Sequence, residues 1–402
     1  MMRIFPRRRL VPALVLLGAV AAQTAGCTPG TRAVKTAPAA AETAGFTPAG
    51  LAALDALLDR YVESGAFPGG VIAVGRRDAL VHLHPFGRLS YDEGAPPVAA
   101  DTIYDLASLT KVVATTAMAM ILFDEGRLDL DRPVQAYLTG FTGAGKQEVT
   151  VRHLLTHSSG TEGHLPLYLE IRGREAYVER IQRMDLVYEP GTKSVYSDFG
   201  IVLLGAILER IAGEPLDAFA QRRVFEPLGM DDTTFRPGPE LLDRIAPTED
   251  DPWRDRVVHG EVHDENAAAM GGVAPHAGLF GTAGDLARFA RMILQGGTFE
   301  SRRIVSPATV DLFTHRAGIP DSDRALGWDT RSAEDSSAGE LFSPDSYGHL
   351  GFTGTSLWID PERELFVVLL TNRVHPARDN TLIREARPAV HDAVIRALLD
   401  DD

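Results

Sequence analysis

The most apolar stretch of the chain that suits a helix runs from Asp105 to Asp124 and reads DLASLTKVVATTAMAMILFD. Apolar residues occupy nearly every side of this segment, and it contains neither glycine nor proline. A helix of this composition is normally buried, so the pattern predicts a core helix. Ser108 and Lys111 lie near its N-terminal end, and residues at positions i and i+3 share a helix face. The pattern therefore predicts a hydroxyl beside an amine at the start of the core.

Periodicity along the rest of the chain predicts strands early and late, with helices between them. Thr47 followed by Pro48 is typical of a helix N-terminus. Further helices are predicted at 151–157, 198–212, 285–294, 307–315 and 381–399, where Pro388 can break the last one, and strands at 71–74, 80–84, 355–359 and 365–370. The Gly-rich run 278–284 predicts a tight turn. This order favours one sheet assembled from both ends of the chain around a helical insertion.

Residues 1–27 have the pattern of an export signal. Arg3 and Arg7–Arg9 form a basic start, and the apolar stretch Leu10–Ala22 is too short to span a membrane comfortably. Small residues then precede Cys27, as in the lipobox of bacterial lipoproteins, although Thr24 stands where an aliphatic residue is usual. We expect Cys27 to be the lipidation site that anchors the protein to a membrane. Plain signal-peptide cleavage is the alternative.

The composition after Cys27 changes twice. Residues 28–45 are mostly Thr, Ala, Pro and Gly, which predicts a flexible tether, and 46–402 has the mixed composition of a globular domain. Cys27 is the only cysteine, so the chain can form no intramolecular disulfide. The formal net charge of −15 argues against a nucleic-acid partner and against membrane binding through a basic patch.

Ser108 and Lys111 together carry a chemical hypothesis. A serine at a helix N-terminus lies near the positive end of the helix dipole, which favours developing negative charge. A lysine in an apolar wall loses part of its preference for the protonated form and can then accept the proton of the serine. Ser-x-x-Lys also occurs by chance in many helices, so the hypothesis depends on partners elsewhere in the chain.

Two further stretches supply such partners. They are Tyr196-Ser-Asp198, which opens a predicted helix, and His349-Leu-Gly351, which leads through Phe352-Thr-Gly354 into a strand. With Ser108-Leu-Thr-Lys111, their order and distances resemble the serine beta-lactamase and penicillin-binding-protein superfamily. The class C beta-lactamase-like branch is the closest likeness, with LLTHSSG at 154–160, PLGM at 227–230, GLFGTAGDLARF at 278–289 and TGTSLWIDP at 353–361. The stretches GEVHDENAAAMGG at 260–272 and TNRVHP at 371–376 resemble a D-alanyl-D-alanine carboxypeptidase-like subgroup.

The resemblance implies an α+β fold, an antiparallel sheet flanked by helices with a helical subdomain. It also implies roles for single residues. Ser108 would be the nucleophile, and Lys111 would accept its proton alone or together with Tyr196. The backbone amides of Ser108 and Phe352 would form the oxyanion hole. Substrate contacts would come from Asp198, Gly351 and Thr353, where Gly351 allows a close approach of the substrate.

Two positions depart from the family pattern. His349 stands where lysine is most frequent, so its charge would depend on pH, and we expect the carboxylate of Asp198 to raise its pKa. Asp198 stands where asparagine is usual. A carboxylate cannot donate to a substrate carbonyl, so Asp198 would either pair with Lys111 or accept an N–H of the substrate. Pairing would favour the charged amine and leave more of the proton transfer to Tyr196.

Histidine pairs raise the question of metal binding. His153 and His157 are four residues apart, and so are His259 and His263 if that segment is helical. Such pairs can bind zinc, but no third ligand is evident from the sequence. His82 and His84 share one face of a strand and are expected at the surface. His263, Asp264, Glu265 and Asn266 form a polar cluster that either lines the cleft or caps a loop. We expect no metal and no cofactor.

The sequence thus predicts an exported serine hydrolase, periplasmic or at the cell surface and membrane-anchored. Its expected substrates are D-alanyl peptides of the cell wall or small esters, which would form an acyl-enzyme on Ser108. One alternative is a true beta-lactamase. The other is a lipoprotein that binds cell wall or penicillin without catalysis.

If Cys27 carries the lipid, Cys27→Ser should move the protein from the membrane fraction to the soluble fraction of the cell. The reason is that the chain has a formal net charge of −15, which disfavours binding to an anionic surface without a lipid. Immunoblots of fractionated cells measure the distribution. An unchanged distribution would support a plain or an uncleaved signal instead.

Overall fold

The computed structural model describes residues 1, 2 and 38–398. Signal-peptide cleavage and the lipidation of Cys27 fall outside this range. The helices are α1 Pro38–Thr43, α2 Pro48–Glu63, α3 Ala117–Asp124, α4 Val151–Leu155, α5 Arg174–Arg183, α6 Asp198–Ala212, α7 Leu216–Ala220, α8 Glu226–Leu228, α9 Glu265–Ala269, α10 Ala283–Leu294, α11 Pro307–Thr314 and α12 Ile383–Arg396. The strands are β1 Gly69–Arg76, β2 Ala79–Gly87, β3 Tyr104–Asp105, β4 Thr234–Phe235, β5 Asp250–Asp251, β6 Arg256–Val257, β7 Leu279–Gly281, β8 Thr298–Phe299, β9 Arg302–Arg303, β10 Asp329–Thr330, β11 Tyr347–Leu350, β12 Ser356–Asp360 and β13 Leu365–Thr371.

A six-stranded antiparallel sheet in the order β10-β11-β12-β13-β1-β2 is the centre of the fold. Strand β1 pairs with β13, so that Val71 lies opposite Leu370. This pairing brings the early and the late strands into one sheet and confirms the prediction from sequence. The predicted α+β class with a helix-flanked antiparallel sheet is also confirmed.

Both faces of the central strands are covered. In β1, Val71 and Ala73 belong to the large core, which also contains α3, α6 and α10. Ile72 and Val74 point the other way, into a second core formed with α2 and α12. Alternate side chains of a strand lie on opposite faces, so a continuous apolar run is what a strand buried on both faces requires.

The predicted core helix consists of three consecutive segments with different helical geometry. A 3₁₀ turn at Ala107–Leu109 is followed by a π-helical turn at Lys111–Thr116 and then by α3. Segment 107–124 has the length and composition of a membrane span, but 83% of it is buried inside the protein. It is therefore the core helix that the sequence predicted. Irregular helical turns of this kind are frequent at functional sites.

Three local predictions were wrong. Helix α12 continues through Pro388, because residues on both sides of it, such as Ile383 and Val394, pack into the second core. The predicted turn at 278–284 contains β7, which pairs with both β3 and β4. The end of the predicted tether forms the helix α1, and Ala41 and Ala44 are buried.

A packing contact of α6 can be tested with one methyl group. A Cβ at Gly205 would lie 2.0 Å from Cγ of Pro275, so Gly205→Ala should destabilise the protein by about 1–3 kcal/mol. Helix propensity alone would predict a gain of about 1 kcal/mol. Urea unfolding of both proteins measures the difference.

Gly284→Ala is the matched control, since a Cβ there meets nothing closer than Oγ1 of Thr282 at 3.9 Å. This variant should be as stable as the wild type or slightly more stable. Equal stabilisation by both substitutions would show that α6 and Pro275 are not in close contact.

Candidate active site

Ser108 lies at the start of the core helix and is partly exposed, while its neighbours on both sides are buried. The residue before it, Ala107, has a φ of 46°, a left-handed conformation that costs a non-glycine residue about 1–3 kcal/mol. The carboxylate of Asp105 supports this turn by accepting the amide N–H of Ala107 at 2.8 Å and that of His263 at 2.6 Å. The hydroxyl of Ser108 is thereby presented from a turn that the core holds in place.

Lys111 is 1% exposed and its Nζ has three neighbours. It donates to Oγ of Ser108 at 2.9 Å and to the carbonyl of His276 at 3.0 Å. It also lies 2.8 Å from Oδ1 of Asp198, at the first residue of α6. Two interactions were expected for Asp198, and in the structure its carboxylate pairs with Lys111.

Burial alone would lower the pKa of Lys111, but the carboxylate of Asp198 and the neighbouring Tyr196 outweigh it and raise this pKa. For Asp198, burial would raise the pKa, and the charge of Lys111, together with a hydrogen bond from His164, lowers it. Both members of the pair are therefore charged at neutral pH. A protonated lysine is a donor and a counter-charge, and it is not a base in this state.

Two cations lie against the ring of Tyr196. Nζ of Lys111 is 4.8 Å from the ring centroid, and Cζ of Arg324 is 5.1 Å from it. The ring is 38% exposed and also contacts the buried His157, with 4.6 Å between ring centroids. Two positive charges this near would stabilise negative charge developing on the tyrosine oxygen. Sequence analysis missed Arg324, because it lies in a loop between α11 and β10 and belongs to no motif.

His349 is neutral in this environment. Burial, followed by the charges of Arg324 and Lys111, lowers its pKa to about 3. Its Nδ1–H donates to the carbonyl of Leu350 at 2.8 Å, so Nε2 carries the lone pair. Asp198 does act to raise this pKa, as expected, but burial and two nearby cations exceed its effect, so the expected net rise was wrong. A lone pair at Nε2 also makes His349 unlike the lysine usual at this position.

The turn from β11 to β12 closes the site. The amide of Phe352 has no hydrogen-bond partner among residues 1–2 and 38–398, while its carbonyl accepts from Nε of Arg373 at 2.8 Å. This leaves the amide available as an oxyanion donor. A Cβ at Gly351 would lie 2.5 Å from the carbonyl oxygen of Leu106. A side chain at position 351 would therefore collide with the segment that precedes Ser108. This contact explains the glycine without the close approach of a substrate that the sequence analysis expected.

Thr353 does not have the role expected for it. Its side chain is 1% exposed, and its hydroxyl donates to the carbonyl of Asp105 at 2.7 Å. Thr355 donates likewise to the carbonyl of Leu106 at 3.0 Å. Both threonines fasten the β11–β12 turn to the segment before Ser108, so the predicted substrate contact of the Thr353 side chain is corrected to a structural one.

Two cavities meet at Ser108, and their charges differ. One, of about 420 Å³, is bordered by Tyr196, His349, Phe352, the carboxylate of Asp329 and five arginines, namely Arg324, Arg373, Arg378, Arg384 and Arg387. The other, of about 280 Å³, is bordered by Asp198, Asp264 and Glu265 with the histidines His164 and His263, and by Arg378, which borders both cavities. A cleft with a basic and an acidic side orients a charged substrate along its length.

The polar cluster at 263–266 both lines the cleft and caps a helix. Asp264 is the N-cap of α9 and accepts the amide of Ala267 at 2.7 Å. His263 contacts Glu249 at 2.8 Å, and Asn266 is buried where it accepts from Tyr177. The two interpretations left open by the sequence therefore both hold.

The histidine pairs considered as metal ligands do not converge. Nδ1 of His153 accepts the amide of Thr150, and Nδ1 of His157 accepts that of Ser197. His259 contacts the carbonyl of Ile245, and the segment that joins it to His263 is not helical. Neither pair forms a metal site in the described part of the chain.

Comparison with known proteins places this geometry in a family. The profile of the Beta-lactamase family matches residues 54–391. A protein of Escherichia coli named "Putative D-alanyl-D-alanine carboxypeptidase" is 34% identical over 83% of this chain and 85% of its own. An N-acetylmuramyl-L-alanine amidase of Bacillus subtilis is 32% identical over 83% of each chain.

Solved structures agree on the fold. The hydrolase EstCE1, described as having promiscuous acyltransferase activity, has a TM-score of 0.71 at 24% identity, covering 86% of this chain and 98% of its own. A penicillin-binding-protein homologue of Caulobacter crescentus has a TM-score of 0.69 at 22% identity, covering 88% and 99%. With a core-helix serine and lysine, a facing tyrosine and this sheet, the chain belongs to the beta-lactamase family of serine hydrolases.

Proposed function

We propose that this protein is an exported serine hydrolase that removes the terminal D-alanine from cell-wall peptides through an acyl-enzyme on Ser108. The observation that carries the substrate class is the cluster of arginines on one side of Ser108. Three of them, Arg373, Arg384 and Arg387, pair with no carboxylate in the described part of the chain. A terminal carboxylate would satisfy this excess of positive charge.

The electrostatics of the arginines support this assignment. Burial and the neighbouring charge of Arg373 lower the pKa of Arg387 to about 9. Burial and the charge of Arg384 lower that of Arg373 to about 10. Both are still protonated at neutral pH, and like charges at close range repel. A bound anion would reduce this repulsion, whereas a neutral ester would not.

Tyr196 is the proposed base. In its phenolate form, which the nearby cations of Lys111 and Arg324 stabilise, its oxygen takes the proton of Ser108 as Oγ attacks the carbonyl carbon. The amides of Ser108 and Phe352 hold the oxyanion. The C–N bond then breaks, and Tyr196 returns the proton to the leaving D-alanine amine. Water attacks the acyl-enzyme by the same path and releases the peptide.

Neutral His349 supports this proton transfer as a hydrogen-bond acceptor beside Tyr196. Its Nε2 is buried and has no hydrogen-bond partner among the described residues, and its ring lies 6.0 Å from that of Tyr196 between centroids. Asp198 holds Lys111 in the charged form, so it acts through Lys111 and is a positioning residue. Export and a lipid on Cys27 complete the proposal, since cell-wall peptides lie outside the cytoplasm.

The substrate class can be tested with paired peptides ending in D-alanyl-D-alanine. The peptide with a free terminal carboxylate should be cleaved with a kcat/KM at least about tenfold above that of its C-terminal amide, because a charge-assisted hydrogen bond contributes about 1.5–3 kcal/mol. Ser108→Ala should abolish cleavage and also labelling by a fluorescent penicillin, without unfolding the protein.

Arg384→Gln should reduce the preference for the free carboxylate, while Arg396→Gln, at the far end of α12, should leave it unchanged. Equal cleavage of the acid and the amide by the wild type would argue for an ester substrate. Rapid turnover of penicillin would argue for a true beta-lactamase.

The charge state of Lys111 can be read from the pH dependence of kcat/KM. Asp198 raises the pKa of Lys111, so Asp198→Asn should lower the pKa of this lysine. The alkaline limb of the profile should then shift to lower pH by about 1–3 units. Asp131→Asn, which removes a carboxylate paired with the surface residue Arg152, is the control. A shift of the acidic limb to lower pH instead would make neutral Lys111 the base.

A further inference from the structure

A second cluster of polar side chains lies away from Ser108 and takes no part in the proposed reaction. It consists of Asp55 of α2 and of His82 and His84 of β2. Strand β2 is at one edge of the central sheet, whereas His349 lies on β11 near the other edge. Four strand spacings separate β2 from β11, which is about 19 Å. A ligand of the cluster would therefore not contact the reacting atoms.

The sheet register explains why the two histidines face the helix. His82 lies opposite Val74 and His84 opposite Ile72 in β1. Directly opposed residues of an antiparallel pair share a face, and Ile72 and Val74 belong to the second core, which α2 covers. Both imidazoles therefore project on the side of α2, at the margin of this core, where Asp55 meets them.

The donor atoms converge. Nε2 of His82 lies 2.7 Å from Oδ1 of Asp55, and Nδ1 of His84 lies 3.8 Å from Oδ2. The two imidazole rings are stacked, with 13° between their planes and 5.5 Å between centroids. All three donor atoms lie within 4.8 Å of one another. Donors bound at about 2.0–2.2 Å to one ion lie up to roughly 4 Å apart, so small side-chain rotations suffice.

We propose that Asp55, His82 and His84 form a binding site for a divalent transition-metal ion of the zinc type. Two imidazoles and one carboxylate are a frequent ligand set for Zn²⁺, with water completing the tetrahedron. The side chains are 28%, 15% and 31% exposed, so an ion can enter from solvent and water can stay bound. The single negative charge of Asp55 partly balances the ion.

The position of the site gives the ion a structural role. It would link α2 to the edge strand β2, which pairs with β1 alone in this sheet. An edge strand is held by one neighbouring strand only, so an ion that also joins it to a helix on its face would restrict its movement away from the sheet. Since the two elements would be joined only in the folded state, the ion should stabilise the fold by mass action.

Zn²⁺ binding can be measured by isothermal titration calorimetry on full-length protein without a histidine tag, after treatment with a chelator. The wild type should bind one Zn²⁺ per chain in a tight phase and should unfold at a higher temperature with Zn²⁺ than without it. His84→Gln and Asp55→Asn should each weaken this phase by more than about a hundredfold and abolish the thermal shift. Both variants should keep the wild-type labelling of Ser108 by a fluorescent penicillin.

His315→Gln is the matched control. His315 forms an exposed pair with Asp311 at 3.2 Å, with no second histidine beside it in the described structure. This variant should bind Zn²⁺ like the wild type. The proposal is overturned if the wild type shows no saturable phase, or if the phase survives in both His84→Gln and Asp55→Asn.

Should the variants fold poorly, X-ray absorption spectroscopy of the wild type with one equivalent of Zn²⁺ gives an independent answer. The expected first shell contains two imidazole nitrogens together with oxygen ligands. A shell with fewer than two imidazoles would overturn the assignment.

Discussion

The candidate site depends on one buried ion pair, between Lys111 of the core helix and Asp198 at the start of α6. Removing two charges from water costs several kcal/mol for each ion, so such a pair persists only where further hydrogen bonds satisfy it. The carbonyl of His276 and the hydroxyl of Ser108 accept from Lys111, and His164 contacts Asp198 at 3.6 Å. The serine is thus part of the network that stabilises the pair. The contacts that stabilise the site are therefore also those of the proposed nucleophile.

The ion pair also assigns the chemical roles of its neighbours. A lysine kept protonated is a poor base, and a histidine beside two cations in a buried site is neutral. Tyr196 is the remaining group that touches both the lysine and open solvent, and Arg324 supplies the second positive charge. The aspartate and the histidine that depart from the family pattern are therefore compatible with an active serine, provided that the proton moves through the tyrosine.

Rigid support of Ser108 comes from backbone contacts between distant segments. The carboxylate of Asp105 holds the strained turn at Ala107, and Thr353 and Thr355 bind the carbonyls of Asp105 and Leu106. The same turn presents the amide of Phe352. Ser108 and the amide of Phe352, the proposed nucleophile and oxyanion donor, are consequently fixed to each other through a few hydrogen bonds, and not through the sheet alone. On the opposite edge of the sheet, the Asp55–His82–His84 cluster would fix α2 in a comparable way.

The local sequence determined most of the long helices and strands of this protein. The apolar run at 107–124, the helix predicted at 198–212, which is α6, and the strands that pair as β1 and β13 follow from periodicity, which depends on neighbours in the sequence only. The Ser108–Lys111 contact is equally local, since it spans one helical turn. Only the tertiary structure decided that Lys111 meets Asp198, that Arg324 lies over Tyr196, and that Thr353 turns away from the cleft. These outcomes depend on burial and on charges brought together from distant segments, and the energy of a charge is set by its surroundings in space, which a local pattern does not encode.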